Sequence, residues 1–281
     1  MGASDHSTNR PGSRCGSRAP GHTSTVGQPG GARVSTAFGV DIGGSAIKAA
    51  VVDVRTGELT SARQSVPTPN PSTPEAVAAV VGDIVGEYGW TGPVGATFPA
   101  VLKHGIARSA ANVDRSWIGT DADSVFTRTT RCEVTVLNDA DAAGLAELRF
   151  GAARDAHGVV IMLTFGTGIG SALFVDGVLV PNTELGHLEL DGHDAEKDAA
   201  ASVKDRQRLS WPGWAVRVQR YLRHLEMLFT PDLFVVGGGV SKESDQWVPL
   251  VDLRTPIRPA ELLNDAGIVG AALAAAQRRG E

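Results

Sequence analysis

The chain has 281 residues, 42% of them hydrophobic and 20% charged, and a formal net charge of −5. That length supports one or two domains with a sizeable core, and the acidic balance argues against a nucleic-acid binder that works through its whole surface. No apolar run reaches the roughly 18 residues that span a bilayer, and the N-terminus lacks the apolar stretch of a signal peptide. Neither nucleic acid nor membrane is therefore expected as a partner, and the location is read as cytoplasmic. The two cysteines, Cys15 and Cys132, lie far apart without metal-ligand spacing and read as incidental thiols.

Residues 1–36 are rich in Gly, Ser, Pro and Thr and nearly free of large apolar side chains. Such a segment cannot bury enough surface to offset its ordering entropy, so a disordered tail is predicted. Order begins at Ala37, where AFGVDIGGSAIKAAVVDVRTGEL reads as strand, glycine turn, strand and a tight turn at Thr56-Gly57. A helix is predicted from Thr73 to Tyr88, with Thr73 as N-cap, Pro74 at the first position and Glu75 in the first turn. PVGATFPA reads as a strand, and EVTVLNDADAAGLAELRF as a strand running straight into a helix. GVVIMLTF is a buried strand, and in SALFVDGVLVP the pair Asp176-Gly177 signals a hairpin. Pro212 to Phe229 is a long helix with Trp214, Val218, Leu222, Leu225 and Phe229 on its apolar face. DLFVVGGGVS is a strand ending in three glycines, and Gly267 to Arg279 forms an alanine-rich closing helix. Mixed strands and helices indicate α/β. The strand–loop–strand units at Phe38 and Ile161 resemble each other and suggest two related lobes.

Three glycine loops stand out. In Asp41-Ile42-Gly43-Gly44-Ser45 the glycines allow amides to converge on an anion, Ser45 adds a hydroxyl, Lys48 adds charge, and Asp41 suits a cation. A plain turn with a capping aspartate is the competing reading. Gly166-Thr167-Gly168-Ile169-Gly170 is followed by a hairpin strand, not the helix a dinucleotide fingerprint needs, and no lysine follows as in a P-loop. A phosphate gripped between two turns, one from each lobe, fits better. Gly237-Gly238-Gly239 could admit a flat or anionic group, or mark a tight bend.

Asn138-Asp139 closes a strand where a helix starts, a usual place for catalytic groups in α/β folds. Asp139 and Asp141 could equally be helix caps. Glu184, His187 and Glu196 form a second polar group, suited to the vicinal hydroxyls of a sugar, with a metal site as the rival. One histidine without neighbouring cysteines argues against structural zinc. His104, His157 and His193 read as surface residues.

Taken together, VDIGGSAIK, SAANVDRSWIGTD, VTVLNDADAAGLAE, LTFGTGIGSALF, GVLVPNTELGHLEL and PDLFVVGGGVS resemble the ROK family of sugar kinases, most of all the branch that uses inorganic polyphosphate, over about residues 37–275. The resemblance implies a two-lobe, actin-like α/β fold: a small lobe from 37–150 completed by a helix at 265–281, and a large lobe from 151–264. It implies phosphorylation of glucose at the 6-hydroxyl with polyphosphate, and ATP as a second donor, in a homodimer requiring Mg²⁺. By position, Asp41, Gly43, Gly44, Ser45 and Lys48 would form the first phosphate loop, with Asp41 near the metal. Gly166, Thr167 and Gly168 would form the second, and Gly237, Gly238 and Gly239 would lie beside a nucleotide base. Asn112, Asn138, Asp139, Glu184, His187 and Glu196 would line the sugar pocket, with Asp139 as catalytic base. The family's cysteine-rich zinc motif is absent, so His187 should contact sugar. Ala46 and Ala50 stand where the branch usually has glycine, and the Ala46 methyl is expected to crowd the first loop. Lys103, Arg108, Arg115, Lys204, Arg206 and Arg208 are candidates for a polyphosphate groove. An ATP-only glucokinase or glucomannokinase, a sugar-responsive repressor and an actin-like filament protein are the alternatives.

Overall fold

The computed structural model describes residues 35–110 and 112–278. The predicted tail up to Val34, with Cys15, lies outside them, as do residues 279–281 of the closing helix.

In chain order the first half contains β1 (Thr36–Ile42), β2 (Ala46–Asp53), β3 (Gln64–Pro67), α1 (Pro74–Glu87), β4 (Val94–Phe98), β5 (Leu102–Lys103), β6 (Ile106–Ala107), α2 (Ala122–Thr130), β7 (Val134–Asn138) and α3 (Asp139–Phe150). The second contains β8 (Val159–Phe165), β9 (Ile169–Val175), β10 (Val178–Val180), the ribbon β11 (Glu189–Leu190) and β12 (His193–Asp194), α4 (Glu196–Ala199), α5 (Ala201–Arg206), α6 (Trp211–Phe229), β13 (Leu233–Gly238), β14 (Ile257–Pro259) and α7 (Ala266–Arg278).

Two five-stranded sheets result, ordered β3-β2-β1-β4-β7 and β10-β9-β8-β13-β14. Each starts with two antiparallel pairings and ends with two parallel ones. The likeness read at Phe38 and Ile161 thus reflects a shared topology, with β1 and β8 as the central strands.

Strand alternation decides what each sheet offers to either side. On β1, Phe38, Val40 and Ile42 face an outer core closed by α1 and α2, through Val77, Val81, Ile84 and Phe126. On β8, Ile161, Leu163 and Phe165 face an outer core under α6, with Trp214, Leu222 and Trp247. The opposite faces enclose a shared middle layer, where Ala143 and Ala146 of α3 and Ile268, Val269 and Ala272 of α7 pack with Ala50, Val52, Met162, Phe174 and Val235. Here α7 lies directly on the first sheet: a Cβ at Gly39 would strike the Ile268 carbonyl, and one at Gly95 the Ala271 carbonyl. Small residues at these crossings let backbone meet backbone.

Local chemistry accounts for most element boundaries. Thr73 caps α1 by accepting from the Ala76 amide, with Pro74 in the first turn. Asp176 and Gly177 have φ of +49° and +82°, the pair of left-handed residues that a two-residue hairpin requires. α6 begins one residue before the expected Pro212, because Ser210 supplies the cap and Trp211 the first position. α7 likewise begins at Ala266. Among the described residues no helix is long and apolar enough to cross a membrane.

Candidate active site

The first glycine loop joins β1 to β2. The Gly43 amide donates to the Ala46 carbonyl (3.0 Å), and Thr68 Oγ1 donates to the Gly43 carbonyl (2.6 Å). Ala46 thus begins β2 and closes the loop through its main chain, while Ala50 is buried between the sheets. Gly44 faces Asn112. Asp41 lies on the inner face of β1, opposite Lys48 in register, and Lys48 Nζ is 3.3 Å from its Oδ2. Thr97 Oγ1 donates to Asp41 Oδ1 (2.9 Å) while accepting from the Ile42 amide (3.0 Å). The first turn of α7 closes over this carboxylate, with Gly267 against it.

β7 delivers Asn138 and Asp139 to the same end of the first sheet. The capping role open to Asp139 and Asp141 belongs to Asn138, whose Oδ1 accepts from the Ala140 (2.8 Å) and Asp141 (3.2 Å) amides. Asp139 Oδ1 accepts only from the adjacent Ala140 amide (2.9 Å) among the described residues. Its carboxylate opens to solvent in a cleft whose walls crowd it. That crowding, and next the charge of Asp41, hold its pKa above the usual carboxylate range.

The second glycine loop joins β8 to β9, closed by the Gly166 amide donating to the Gly168 carbonyl (2.9 Å). Glu196 packs against Gly168, and its Oε2 accepts from the Ile169 amide (3.0 Å). α5 is tied to the loop by Ser202, whose amide reaches the Gly166 carbonyl (3.0 Å) and whose hydroxyl reaches the Thr167 carbonyl (2.7 Å). Gly237 and Gly238 pair with Thr164 and Phe165, which brings the triple glycine alongside this loop. Gly238, at φ +85° and against the Phe165 carbonyl, tolerates no side chain.

Glu184, His187 and Glu196 come together as expected. His187 Nε2 lies 3.8 Å from Glu184 Oε2, and its Nδ1 lies 3.9 Å from Glu196 Oε1. Burial raises the Glu184 pKa, His187 opposes this, and the charges of Asp139 and Glu196 raise it further. The sugar-type cluster and the catalytic candidate therefore share one electrostatic environment.

Two further acids stand beside this group: Asp194, which the sequence does not single out, and Asp141, which it offers only as a helix cap. Asp194 Oδ2 lies 3.3 Å from His187 Nδ1, and that hydrogen bond, followed by the charge of Lys197, lowers its pKa. Its signal was Asp191-Gly192, a second left-handed pair (φ +59° and +83°) that folds the ribbon β11–β12 and returns Asp194 to His187. The donor atoms of His187, Asp194 and Glu196 lie within 4.8 Å of one another, close enough to share an ion; the set lacks the thiolates usual in structural zinc sites. Asp141 is the second: only 2% exposed, it accepts at Oδ2 from the Asn182 amide (2.9 Å), while Oδ1 has no hydrogen-bond partner among the described residues. Burial, then the charges of Glu184 and Asp139, push its pKa up to about 7. His193, read as a surface residue, is half-buried and sits 3.5 Å from Asp198.

The basic candidates fall into two groups. Lys103 and Arg108 lie on and just after the β5–β6 hairpin and Arg115 begins the 3-10 turn Arg115–Trp117, whereas Lys204, Arg206 and Arg208 lie on or just after α5, which is tied to the second loop. Lys204 stacks its ammonium 4.0 Å from the Trp211 ring centroid. As for a metal, Asp41 offers hard oxygen donors beside the first glycine loop, near enough to Asp139 for its charge to be felt there, and would hold a divalent cation.

The ROK family matches residues 37–203. A polyphosphate glucokinase from Mycobacterium tuberculosis is 52% identical over 247 residues, covering 88% of this chain and 93% of that protein. A glucokinase from Streptomyces coelicolor is 28% identical over 84% of this chain and 96% of its own length. Among solved structures, an inorganic polyphosphate/ATP-glucomannokinase from Arthrobacter sp. strain KM superposes with a TM-score of 0.83 at 52% identity, covering 87% of this chain and all of that one. A ROK glucokinase from Streptomyces griseus, solved with glucose and AMPPNP, gives 0.74 at 25% identity, over 86% and 99%. The family match over more than half of the chain and the 52% identity along most of both chains show that this chain belongs to the ROK family.

Proposed function

We propose that this protein transfers a phosphoryl group from inorganic polyphosphate, and also from ATP, to the 6-hydroxyl of glucose. The observation that carries this reading is Asp139: a carboxylate released from capping by Asn138, made more basic by its surroundings, and placed between the loop bearing Asp41 and the group bearing Glu184. Glu184, His187 and Glu196 orient the sugar through its ring hydroxyls, with Asn112 and Asn138 at the edge. Asp139 accepts the 6-hydroxyl proton as that oxygen attacks the terminal phosphorus. Amides at the tips of the two loops, with the Ser45 and Thr167 hydroxyls and Lys48, donate to the phosphoryl oxygens where charge accumulates. Asp41 would hold Mg²⁺, which supplies further positive charge there when bound. Gly237, Gly238 and Gly239 leave room for a nucleotide base when ATP is the donor.

The identity of 52% to a polyphosphate glucokinase and to a polyphosphate/ATP-glucomannokinase supports polyphosphate as donor and mannose as a second acceptor. Lys204, Arg206 and Arg208, next to the second loop, supply charge for the polyanion. A cytoplasmic homodimer completes the reading, and sedimentation velocity tests the dimer. The deciding experiment measures glucose 6-phosphate formation with Mg²⁺ and polyphosphate, ATP or GTP as sole donor, each freed of the others. Turnover with polyphosphate is expected. Turnover with ATP alone would retain Asp139's role and discard the polyphosphate groove, while no product with any donor would overturn the reading.

A further inference from the structure

The segment Pro181–Thr183 joins β10 to the turn carrying Glu184 and His187, and Asn182 within it has a left-handed backbone (φ +58°). Its side chain makes a two-way pair with the main chain of Leu102 in β5: the Leu102 amide donates to Asn182 Oδ1 (2.8 Å), and Asn182 Nδ2 donates to the Leu102 carbonyl (2.7 Å). Its own amide donates to Asp141 Oδ2 on α3 (2.9 Å). One residue of the second half is thus fastened to a hairpin of the first half and to the helix that Asp139 begins. Beyond it, Ser171 of β9 donates to the Thr183 carbonyl and accepts from the Leu185 amide (2.9 Å). The stretch holding Glu184 is therefore pinned on one side to the second sheet and on the other, through Asn182, across the cleft. Asn138, the cap of α3, donates to the Ala100 carbonyl (3.2 Å), so the same short strand lead-in is held from the catalytic side as well.

We propose that Asn182 is a positioning residue that sets the distance between Glu184 and Asp139 by spanning the two halves, and so governs how the acceptor sugar binds. It acts through Glu184 and does not touch the donor. The inference rests on the sugar-phosphorylation reading above. A side-chain amide whose two ends match a peptide's N–H and C=O resists both sliding and opening, whereas a single bond would not.

Asn182→Gly isolates this role. Glycine accepts the left-handed backbone and keeps the amide bond to Asp141, and only the Leu102 pair is lost. The glucose KM is expected to rise roughly 10-fold, the size of effect that two modest net hydrogen bonds produce. The polyphosphate KM should stay within about twofold and glucose titration without donor should weaken in parallel. An unchanged glucose KM, or equal shifts in both KM values, would overturn the positioning role. If Asn182→Gly fails to fold, Asn182→Ser, whose hydroxyl cannot span both Leu102 groups, is read by the same split. Wild-type protein inactive with every donor would instead sink the functional reading beneath it, so the two failures are distinct.

Discussion

The two halves share a topology but arm it differently. Asp41 and Thr164 occupy matching places, each on the inner face of a central strand and one residue before the last of that strand. Across the hairpin Asp41 faces Lys48, whereas Thr164 faces Gly170, where a Cβ would lie 2.6 Å from the threonine hydroxyl. One loop thus carries a carboxylate–ammonium pair and the other only small neutral groups. The larger difference follows the third strand. β3 leads through one short connection to α1, but between β10 and α6 the chain inserts Glu184, His187, the ribbon, α4 and α5. On the proposed reading, a repeated scaffold supplies two turns for phosphate, while the base comes from the first half and acceptor recognition from an insertion in the second.

The sharpest way to break this division is to remove one group from each side. Asp139→Asn should lower kcat on the order of 10³-fold while leaving the glucose KM within a few-fold, because a lost base affects the transition state. Single-turnover product formation beside glucose titration checks it, and near-normal turnover would end Asp139's assignment. Glu184→Gln should show the reverse, with glucose KM up roughly 10- to 100-fold and a smaller change in kcat, since an acceptor for a sugar hydroxyl is weakened.

The matched loops give the next contrast. A methyl at Gly168 would meet the Glu196 carboxylate and disturb its bond to the Ile169 amide, whereas at Gly44 it would make ordinary contact with Asn112 at 3.4 Å. Gly168→Ala should reduce kcat/KM for glucose about 10-fold or more and Gly44→Ala much less; equal losses in steady-state kinetics on the two variants would show that the loops are interchangeable.

The smallest expected effect concerns Asp141. Its pKa rises from 3.8 to about 7 on folding, so the folded protein holds more protons than the unfolded chain between those values. Stability is therefore lost as pH rises from about 4 through about 7. Asp141→Asn removes that loss and can still accept from Asn182. A gain on the order of 1–2 kcal/mol, a few degrees in Tm, is expected at pH 8 and none at pH 4. Thermal melts at both values test it, and an equal shift at the two would contradict the assignment.

What could be read in advance depended on local chemistry. Thr73-Pro74 announces α1, Asp176-Gly177 announces the β9–β10 turn, and the glycine loops lie where hydrophobic strands end. Glu184, His187 and Glu196 read as a group because they are polar residues of one short segment. Asp141 does not, since its altered chemistry arises from being enclosed by Asn182 and facing Glu184, contacts 41 and 43 positions away in sequence. The cap at α3 is ambiguous in sequence for the same reason: Asn138, Asp139 and Asp141 are all polar residues at the helix start, and only the path of β7 chooses Asn138. The middle layer was equally hidden, because nothing in an alanine-rich helix says that two sheets will close on it.

That middle layer has a consequence for how the chain is made. α7 follows every strand in the sequence, yet it covers the inner face of the first sheet and walls in Asp41. On the ribosome, both sheets are translated before the helix that covers the first of them. Until it arrives, Ala37, Ala50 and Val52 on the inner face of the first sheet lack a principal covering. Assembly of the cleft is thus a late event that waits for the C-terminal helix, and a nascent chain stalled before Ala266 would expose apolar surface that favours aggregation.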